Sequence, residues 1–400
     1  MGKSMIGKTK PHPSGNGWWL AILGAGLLLA CAGLVPLPVP PPSQIDPDET
    51  WLMLGKNPQH HHAVNHNVHP PIAPVWKRRL HSVVTDHPLA FGSYILATLR
   101  NGNLAIFSLS QQEQIAMDRI GPTMGHVPSI YLPFLYAGFN LGKHTLLAIN
   151  LRNTGQEFRR QYPEVTTSPI YWDRKLYFGT NRGQFFCVNA RSGDSIWTFK
   201  SRVAIQASPA IRDPLVVFAD VKGNVYALDV SSGIMFWQTA LDAAIFSHPV
   251  LDDSLVFVAT VSGLFVALDQ KNGKPRWQTR LNGSIYSSAS LYQNFLYVGT
   301  NGHEVVALRK TDGSVLWRFQ TNGIVNTVPL SSPDYVYVGS WDGNLYILNR
   351  FTGKLIFKQE LNAALKSSPI IYQQYLIVHS ANKHLWVFAT EKFAREMKTK

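Results

Sequence analysis

Short runs of hydrophobic residues recur along most of the chain, each bounded by polar turn residues. "YVGTNGHEVVALRKTDGSVLWRF" begins at Tyr297, and "YVGSWDGNLYILNRFTGKLIFKQ" begins 40 residues later at Tyr337. The runs are five or six residues long and rich in β-branched and aromatic side chains, and Asn-Gly, Asp-Gly, Ser-Gly or Thr-Gly pairs separate them. This pattern predicts β-strands joined by tight hairpins and argues against helices.

Three kinds of residue recur at steps of 40 or 41. A small residue follows the second strand of each unit, and the series is Ala97, Gly138, Gly179, Ala219, Ala259, Gly299 and Gly339, with His379 last. An aromatic residue ends most units, namely Phe158, Trp197, Trp237, Trp277, Trp317 and Phe357. A proline opens each unit except the sixth, where Ala289 replaces it: Pro88, Pro128, Pro169, Pro209, Pro249, Pro329 and Pro369. Eight units of this length, each long enough for four short strands, predict a β-propeller.

The predicted fold is therefore all-β, an eight-bladed β-propeller of four-stranded antiparallel blades spanning residues 75–392. The last unit lacks a fourth strand and is followed by a basic tail, 393–400. A matching strand stands at the other end of the repeats, because Trp76 in "APVWKRRL" lies 41 residues before Met117. We expect this strand, 75–80, to complete blade 8. The recurring tryptophans are interpreted as wedges between blades, not as ligand-stacking residues.

The amino-terminal segment predicts export. Residues 1–17 are polar and basic, and the run from Trp18 to Val35 has no charge, so residues 1–35 are predicted to be a signal peptide or a membrane anchor that precedes the propeller. The stretch Leu28-Leu29-Ala30-Cys31 resembles a bacterial lipobox and predicts a lipid on Cys31. The alternative is an uncleaved helix of about 18–20 residues. Both place the rest of the chain on the periplasmic side of a bacterial membrane, after a Pro- and His-rich linker and lead-in, 36–74.

Composition narrows the choice of partners and cofactors. The two cysteines, Cys31 and Cys187, are too few for a disulfide framework or a CxxC metal site. The net charge of +13 suits an anionic surface, but the sequence contains no nucleic-acid-binding module, so no nucleic-acid partner is expected. His62 and His66 are weak candidates for a transition-metal site, and a polar lead-in crossing the propeller surface is the favoured reading. His87 and His248 precede prolines on opposite blades, and we expect them to face the channel too far apart to share a metal.

The repeat Y-V-G-T-x-x-G-x-x-x-A-L-D-x-x-T-G-x-x-x-W resembles the pyrroloquinoline-quinone (PQQ) repeat of quinoprotein-dehydrogenase-like eight-bladed propellers. The resemblance covers roughly residues 75–390, and "WLMLGKNPQHH" from Trp51 is similar to the segment that precedes such repeats. It implies the propeller fold and, for enzymes of the family, PQQ with Ca²⁺, an Asp base and often a vicinal disulfide. This chain has no adjacent cysteines, no acidic cluster suited to Ca²⁺ and no long insertions. We therefore expect no cofactor, no metal and no catalytic residue.

Within that family the chain is most similar to the cofactor-free lipoproteins of the outer-membrane β-barrel assembly machine, the BamB group. The resemblance implies a non-catalytic scaffold in the cell envelope, which binds a membrane protein complex through propeller loops or blade edges. The alternatives are a PQQ-dependent dehydrogenase and an accessory subunit of another membrane complex.

Overall fold

Eight antiparallel sheets of four strands each form a closed ring, as the repeat predicts. The computed structural model describes residues 33–398. Cys31 and nearly all of the predicted signal or anchor segment lie outside the described residues. Within residues 33–398, no helix is long and apolar enough to span a bilayer.

The strands of the first four blades follow chain order from the innermost to the outermost. Blade 1 contains β2 Leu89–Phe91, β3 Tyr94–Thr98, β4 Asn103–Ser108 and β5 Glu113–Arg119. Blade 2 contains β6 Ser129–Tyr131, β7 Phe134–Gly138, β8 Leu146–Asn150 and β9 Gln156–Arg160. Blade 3 contains β10 Ile170–Trp172, β11 Lys175–Gly179, β12 Gln184–Asn189 and β13 Ser195–Lys200. Blade 4 contains β14 Ala210–Arg212, β15 Leu215–Ala219, β16 Asn224–Asp229 and β17 Met235–Ala240.

The next three blades repeat this order, and the eighth borrows its outer strand from the amino-terminal side. Blade 5 contains β18 Val250–Leu251, β19 Leu255–Ala259, β20 Leu264–Asp269 and β21 Pro275–Arg280. Blade 6 contains β22 Ser290–Tyr292, β23 Phe295–Thr300, β24 Glu304–Arg309 and β25 Val315–Gln320. Blade 7 contains β26 Leu330–Ser331, β27 Tyr335–Gly339, β28 Asn344–Asn349 and β29 Leu355–Glu360. Blade 8 contains β30 Ile370–Tyr372, β31 Tyr375–Ser380, β32 His384–Thr390 and β1 Ile72–Arg79. Two 3₁₀ turns, Pro42–Gln44 and Pro47–Glu49, and α1 Glu391–Lys398 complete the described elements.

The hydrophobic pattern of each strand matches its position in the blade. The middle strands, such as β15 and β20, are buried along their whole length because neighbouring blades cover both of their faces. The outer strands, such as β13 and β21, alternate between exposed and half-buried residues. Strand pairing therefore organises each blade, while apolar packing between blades holds the ring together.

The two ends of the ring differ in their connections. The turn after the first strand of every blade, and the turn after the third strand of blades 1–7, lie at one end. The lead-in, residues 51–70, contacts turns at that end through His66 and Asn67. We call this the lead-in face. The turn after the second strand and the loop to the next blade lie at the other end, which we call the interblade-loop face.

The predicted closing strand is present and is three residues longer at its start. β1 pairs antiparallel with β32, with Ile72 opposite Thr390 and Arg79 opposite His384. Trp76 is buried and stacks on Phe107 of blade 1, with 5.9 Å between ring centroids. The first strand of the chain thus joins the last blade to the first.

The recurring tryptophans pack between blades. A Cβ on Gly233, Gly273, Gly313 or Gly353 would lie within 2.6 Å of the tryptophan of the preceding blade. The indole nitrogens of Trp237, Trp277 and Trp317 donate to the carbonyl oxygens of Gln270, Lys310 and Arg350 on the next blade, at 2.7, 2.9 and 2.9 Å. Trp197 packs in the same way on Gly233, although its indole nitrogen has no acceptor within the described residues.

The small residues of the repeat occupy a different contact. Gly179 and Gly339 end the second strand of their blades, and Gly299 is the next-to-last residue of β23. A Cβ at these positions would meet Ile205, Val325 or Leu365 of the following interblade loop at 2.4, 2.3 and 2.9 Å. The period of 40 therefore records contacts between neighbouring blades.

The segment predicted to be a basic tail is instead a short helix. α1 spans Glu391–Lys398 and packs against β1 and β32. Ala394 is buried, and Phe393 and Met397 pack against the same core, so one face of the helix is apolar. The sequence reading missed this apolar face because four basic residues lie near the end of the chain.

We predict that Trp76→Ala will lower the free energy of unfolding by about 3–5 kcal/mol, because it empties a buried aromatic site at the ring closure. Urea denaturation measures the change. Arg79→Ala, an exposed change on the same strand, should cost less than about 0.5 kcal/mol. Equal effects of the two substitutions would mean that β1 does not close the ring in solution.

Candidate functional site

The lead-in enters the central channel and binds the innermost strands of the blades. Its backbone exchanges hydrogen bonds with residues at equivalent positions of six blades, which are Ala90, Ile130, Ile211, Leu251, Leu291 and Ser331. The expectation that this segment crosses the propeller surface is therefore wrong. In these six blades the second residue of the inner strand has a backbone N–H that faces the axis. A carbonyl oxygen of the lead-in accepts a hydrogen bond from it.

Trp51 anchors the lead-in at the axis. Its side chain is completely buried, and its indole nitrogen donates to the carbonyl oxygen of Ile371 in blade 8 at 2.6 Å. The ring packs edge-on against His62 and His87, with centroids 5.0 and 5.2 Å away. One side chain thus contacts both the lead-in and two blades.

Three consecutive histidines fasten the lead-in to blades 5 and 8. His60 Nδ1 lies 3.1 Å from the carbonyl oxygen of Pro249, and His61 Nε2 lies 2.7 Å from that of Leu251. His62 Nε2 lies 3.0 Å from the carbonyl oxygen of Pro369. Because a carbonyl only accepts, each of these ring nitrogens must donate. Pro249 and Pro369 are prolines of the repeat, so the histidines bind where each blade begins.

His87 and His248, which precede the prolines of blades 1 and 5, both face the channel as expected. His87 Nε2 accepts a hydrogen bond from the backbone N–H of Gly55 at 3.2 Å, while its Nδ1 lies 3.0 Å from the carbonyl oxygen of Pro88. The ring of His248 packs against His60, with centroids 5.8 Å apart. The lead-in therefore bridges two blades that stand on opposite sides of the ring.

The residue before each proline also links neighbouring blades. The backbone N–H of Ser168 donates to Ser208 Oγ, that of Ser208 to His248 Nδ1, and that of His248 to Ser288 Oγ, at 2.8–2.9 Å. At the ring closure the N–H and Oγ of Ser368 both donate to Asp86 Oδ1 at 2.9 Å. His248 Nδ1 must be unprotonated to accept, so the bond requires the neutral imidazole.

The channel keeps these histidines neutral. Burial lowers the pKa of His62 to about 3 and that of His248 to about 4, and it lowers the pKa of His60 and His87 as well. Burial opposes the charge of Asp86, but the neighbouring His87 and the bonds from Ser368 hold the pKa of its carboxyl below the usual value. The axis therefore contains one carboxylate among neutral imidazoles.

The two weak metal candidates do not meet. His62 binds Pro369 inside the channel, whereas His66 is near the surface and its Nε2 lies 2.6 Å from the carbonyl oxygen of Gln373. Across residues 33–398, no group of three or more His, Cys, Asp or Glu side chains is arranged to hold a metal ion.

The residues around the lead-in do not fit PQQ with Ca²⁺. The cavity bounded by Gly55, His60, His62, Asp86 and His248 has a volume of about 10 Å³, enough for roughly one water molecule. Cys187 is buried in β12 of blade 3, far in sequence from any other cysteine. The lead-in is tied into the ring, and the cavity that it borders is too small for a cofactor.

The family described as outer membrane protein assembly factor BamB matches residues 142–245, 221–333 and 320–393, which is more than half of the chain. The chain belongs to the BamB family. The crystal structure of BamB from Moraxella catarrhalis is 19% identical, covers 80% of this chain and 99% of its own, and superimposes with a TM-score of 0.69. No curated protein matches the chain.

Quinoprotein enzymes share the fold at lower identity than this BamB structure. The quinohemoprotein alcohol dehydrogenase from Comamonas testosteroni is 11% identical, covers 87% of this chain and 83% of its own, and has a TM-score of 0.76. The designed protein Ika8 is also 11% identical, with a TM-score of 0.70 and coverage of 78% and 98%. Since a designed protein and an enzyme match equally well, these likenesses establish the propeller and nothing about chemistry.

The sequence did not reveal that Trp51, His62 and His87 meet at the axis. The only indication in the sequence was the segment from Trp51 to His61, which resembles the segment that precedes the repeats in related propellers. This segment includes Gly55 and Asn57. Gly55 has φ +66°, and a Cβ there would lie 2.7 Å from the backbone of His60. Asn57 Oδ1 accepts from the N–H of His61 at 3.1 Å. These two residues fold the lead-in back on itself and direct its histidines into the channel.

We predict that the free energy of unfolding falls as the pH drops from about 6.5 toward 4. His62 and His248 become protonated near pH 6.5 in the unfolded chain but stay neutral in the fold down to about pH 4, so each costs about 1.4 kcal/mol per pH unit in that window. The stability should be fully present above about pH 7. Urea denaturation at several pH values measures the slope.

His248→Ser tests the assignment, because serine occupies the same position in blades 3, 4, 6 and 8 and can accept the bond from Ser208. The variant should show a shallower slope than the unmodified protein between pH 6.5 and 4. His144→Ser, which replaces an exposed histidine, should leave the slope unchanged. Identical slopes for all three proteins would show that His248 is not held neutral.

Proposed function

We propose that this chain is a non-catalytic scaffold of the bacterial cell envelope, held at a membrane by its amino-terminal segment. The observation that carries this proposal is the lead-in, which fills the channel at one end and leaves about 10 Å³ beside it. A small-molecule site usually needs a cavity of a few hundred Å³. The surfaces left for function are the outer strands, the turns and the loops. Membership of a family described as outer membrane protein assembly factor BamB supports the same reading.

An exposed apolar patch on blade 4 is the best candidate for a protein contact. Ile234, Met235 and Phe236 are consecutive and are 68%, 45% and 51% exposed. Phe236 also borders a cavity of about 660 Å³ between blades 4 and 5, which Arg212, Asp253 and Arg276 surround with charge. An apolar centre with a polar rim is typical of a protein-binding surface. The patch lies at the edge of β17, whose outer side has no partner strand.

The described residues favour a lipid anchor over a spanning helix. Leu34 and Val35 pack against the propeller core, so they are not available to a membrane helix. The apolar segment before Gly33 is then Trp18–Ala32, which has 15 residues. A spanning helix needs about 20. We therefore propose that Cys31 is lipidated and that the propeller lies on the periplasmic side of the membrane.

We predict that purified protein supplied with PQQ and Ca²⁺ will not oxidise alcohols or sugars, because the channel offers no space for the quinone. The assay follows reduction of an artificial electron acceptor, with a quinoprotein dehydrogenase as the positive control. Turnover above the protein-free rate would refute the scaffold proposal and support the dehydrogenase.

We predict that Phe236→Asp will reduce the recovery of the protein complex that co-purifies from membranes at least five-fold, because it places a charge in the apolar patch. Phe351→Asp is the matched control, since Phe351 is 50% exposed on blade 7 and should have no effect. Quantitative mass spectrometry of affinity-purified membranes compares the proteins. Full recovery with both variants would exclude the blade 4 patch as the contact.

A further inference from the structure

The interblade-loop face carries a cluster of unpaired cations along blades 1–4. Four of them occupy the turn after the second strand in successive blades, one ends β13 of blade 3, and one lies in the loop from blade 3 to blade 4. We call these six residues the basic arc: Arg100, Lys143, Arg182, Lys200, Arg202 and Lys222. All six are exposed. No ion pair found within residues 33–398 involves any of them.

The charge of this face is uneven around the ring. Next to the basic arc, the exposed carboxylates are Asp118 and Glu164. On the opposite side Arg280 is paired with Asp242 at 3.0 Å. The other exposed cations there, Arg79, Lys366 and Lys383, are offset in part by the carboxylates of Asp342 and Glu360. The excess positive charge of the face therefore concentrates on blades 1–4, and a partner of this arc must be anionic.

The described chain begins beside the basic arc. A Cβ on Gly33 would lie 3.9 Å from Asp118 Oδ2, and Asp118 is the next-to-last residue of β5. That end of β5 pairs with Asn103, which follows the turn containing Arg100. Gly33 comes two residues after Cys31, and two residues of fully extended chain span roughly 7 Å. The Cα atom of Cys31 can therefore be no farther than that from the Cα atom of Gly33. Any anchor at Cys31 is therefore held close to this face.

An apolar side chain stands out from the same surface. The turn between β7 and β8 of blade 2 spans residues 139–145 and is longer than the equivalent turns of blades 3 and 4, residues 180–183 and 220–223. Its Leu141 is 56% exposed. Lys143 follows in the same turn. An exposed leucine next to a cation suits the boundary between lipid headgroups and acyl chains.

We propose that the basic arc lies on the anionic headgroups of the membrane that holds the amino-terminal anchor. This rests on the membrane tether proposed above. A short tether keeps the arc at high effective concentration near the lipid surface. Each cation near such a surface contributes about 1 kcal/mol, or roughly a five-fold gain in partition. The protein-binding patch of blade 4, at the start of β17 on the lead-in face, then points away from the lipid.

Photo-crosslinking of the full chain in lipid nanodiscs tests this orientation. A p-benzoylphenylalanine replaces Leu141 on the interblade-loop face or, as the matched control, Ser232 in an exposed turn on the lead-in face. The discs contain either phosphatidylcholine alone or 30% phosphatidylglycerol, and mass spectrometry counts the lipid adducts. We expect at least five-fold more adduct at 141 than at 232 in the anionic discs. We also expect a comparable fall in 0.5 M salt, where the screening length is roughly 4 Å.

The triple substitution Arg100→Gln, Lys143→Gln and Arg182→Gln should reduce the adduct at 141 at least five-fold. The control triple Lys271→Gln, Lys274→Gln and Lys354→Gln, on the lead-in face, should not. Thermal melting of both variants checks that they remain folded.

Equal adducts at 141 and 232, or failure of the full chain to enter the discs, would overturn the proposal. So would a crosslink from 141 to an acidic protein, in place of lipid, in native membranes. The blade 4 patch is tested separately, so the scaffold proposal can survive either result.

Discussion

A ring of repeats is stable only if its last unit meets its first, and here one strand pairing makes that contact. β1 supplies the outer strand of blade 8 and stacks Trp76 on blade 1. Without it, β32 would expose an unpaired edge and blade 1 would lose an apolar neighbour. The other contacts between blades depend on this closure. Each tryptophan and each hydrogen bond from a backbone N–H to a serine Oγ needs a neighbouring blade held at a fixed angle.

The closure also places the lead-in. Since β1 must run along the outside of blade 8, the residues before it reach that edge from the axis across the lead-in face. Trp51 and the histidines at 60–62 then lie over the inner strands and satisfy their free N–H and C=O groups. A propeller leaves polar groups along its axis, and this chain satisfies them with its own backbone and imidazoles. Residues of the lead-in therefore occupy the space at the axis.

The architecture could be predicted because the same contact recurs in most blades. Gly179, Gly299 and Gly339, or Trp237, Trp277 and Trp317, repeat at one spacing since each meets an equivalent neighbour. The lead-in, by contrast, occurs once. Its contacts join His60 to Pro249 and His62 to Pro369, far apart in sequence, and no period reveals such pairs. α1 was missed for a related reason, because its apolar face is completed only by β1 and β32 from the folded ring.

The pairing of β1 with β32 also bears on how the chain reaches its fold. Arg79 and His384 are partners although most of the sequence separates them. Blades 1–7 can form one after another as the chain emerges, but β1 must wait, unpaired, until the last blade has been made. The ring can therefore close only after the residues of β32 have been made. Such a long-range contact slows folding, so the completed ring should form late and, once formed, open rarely.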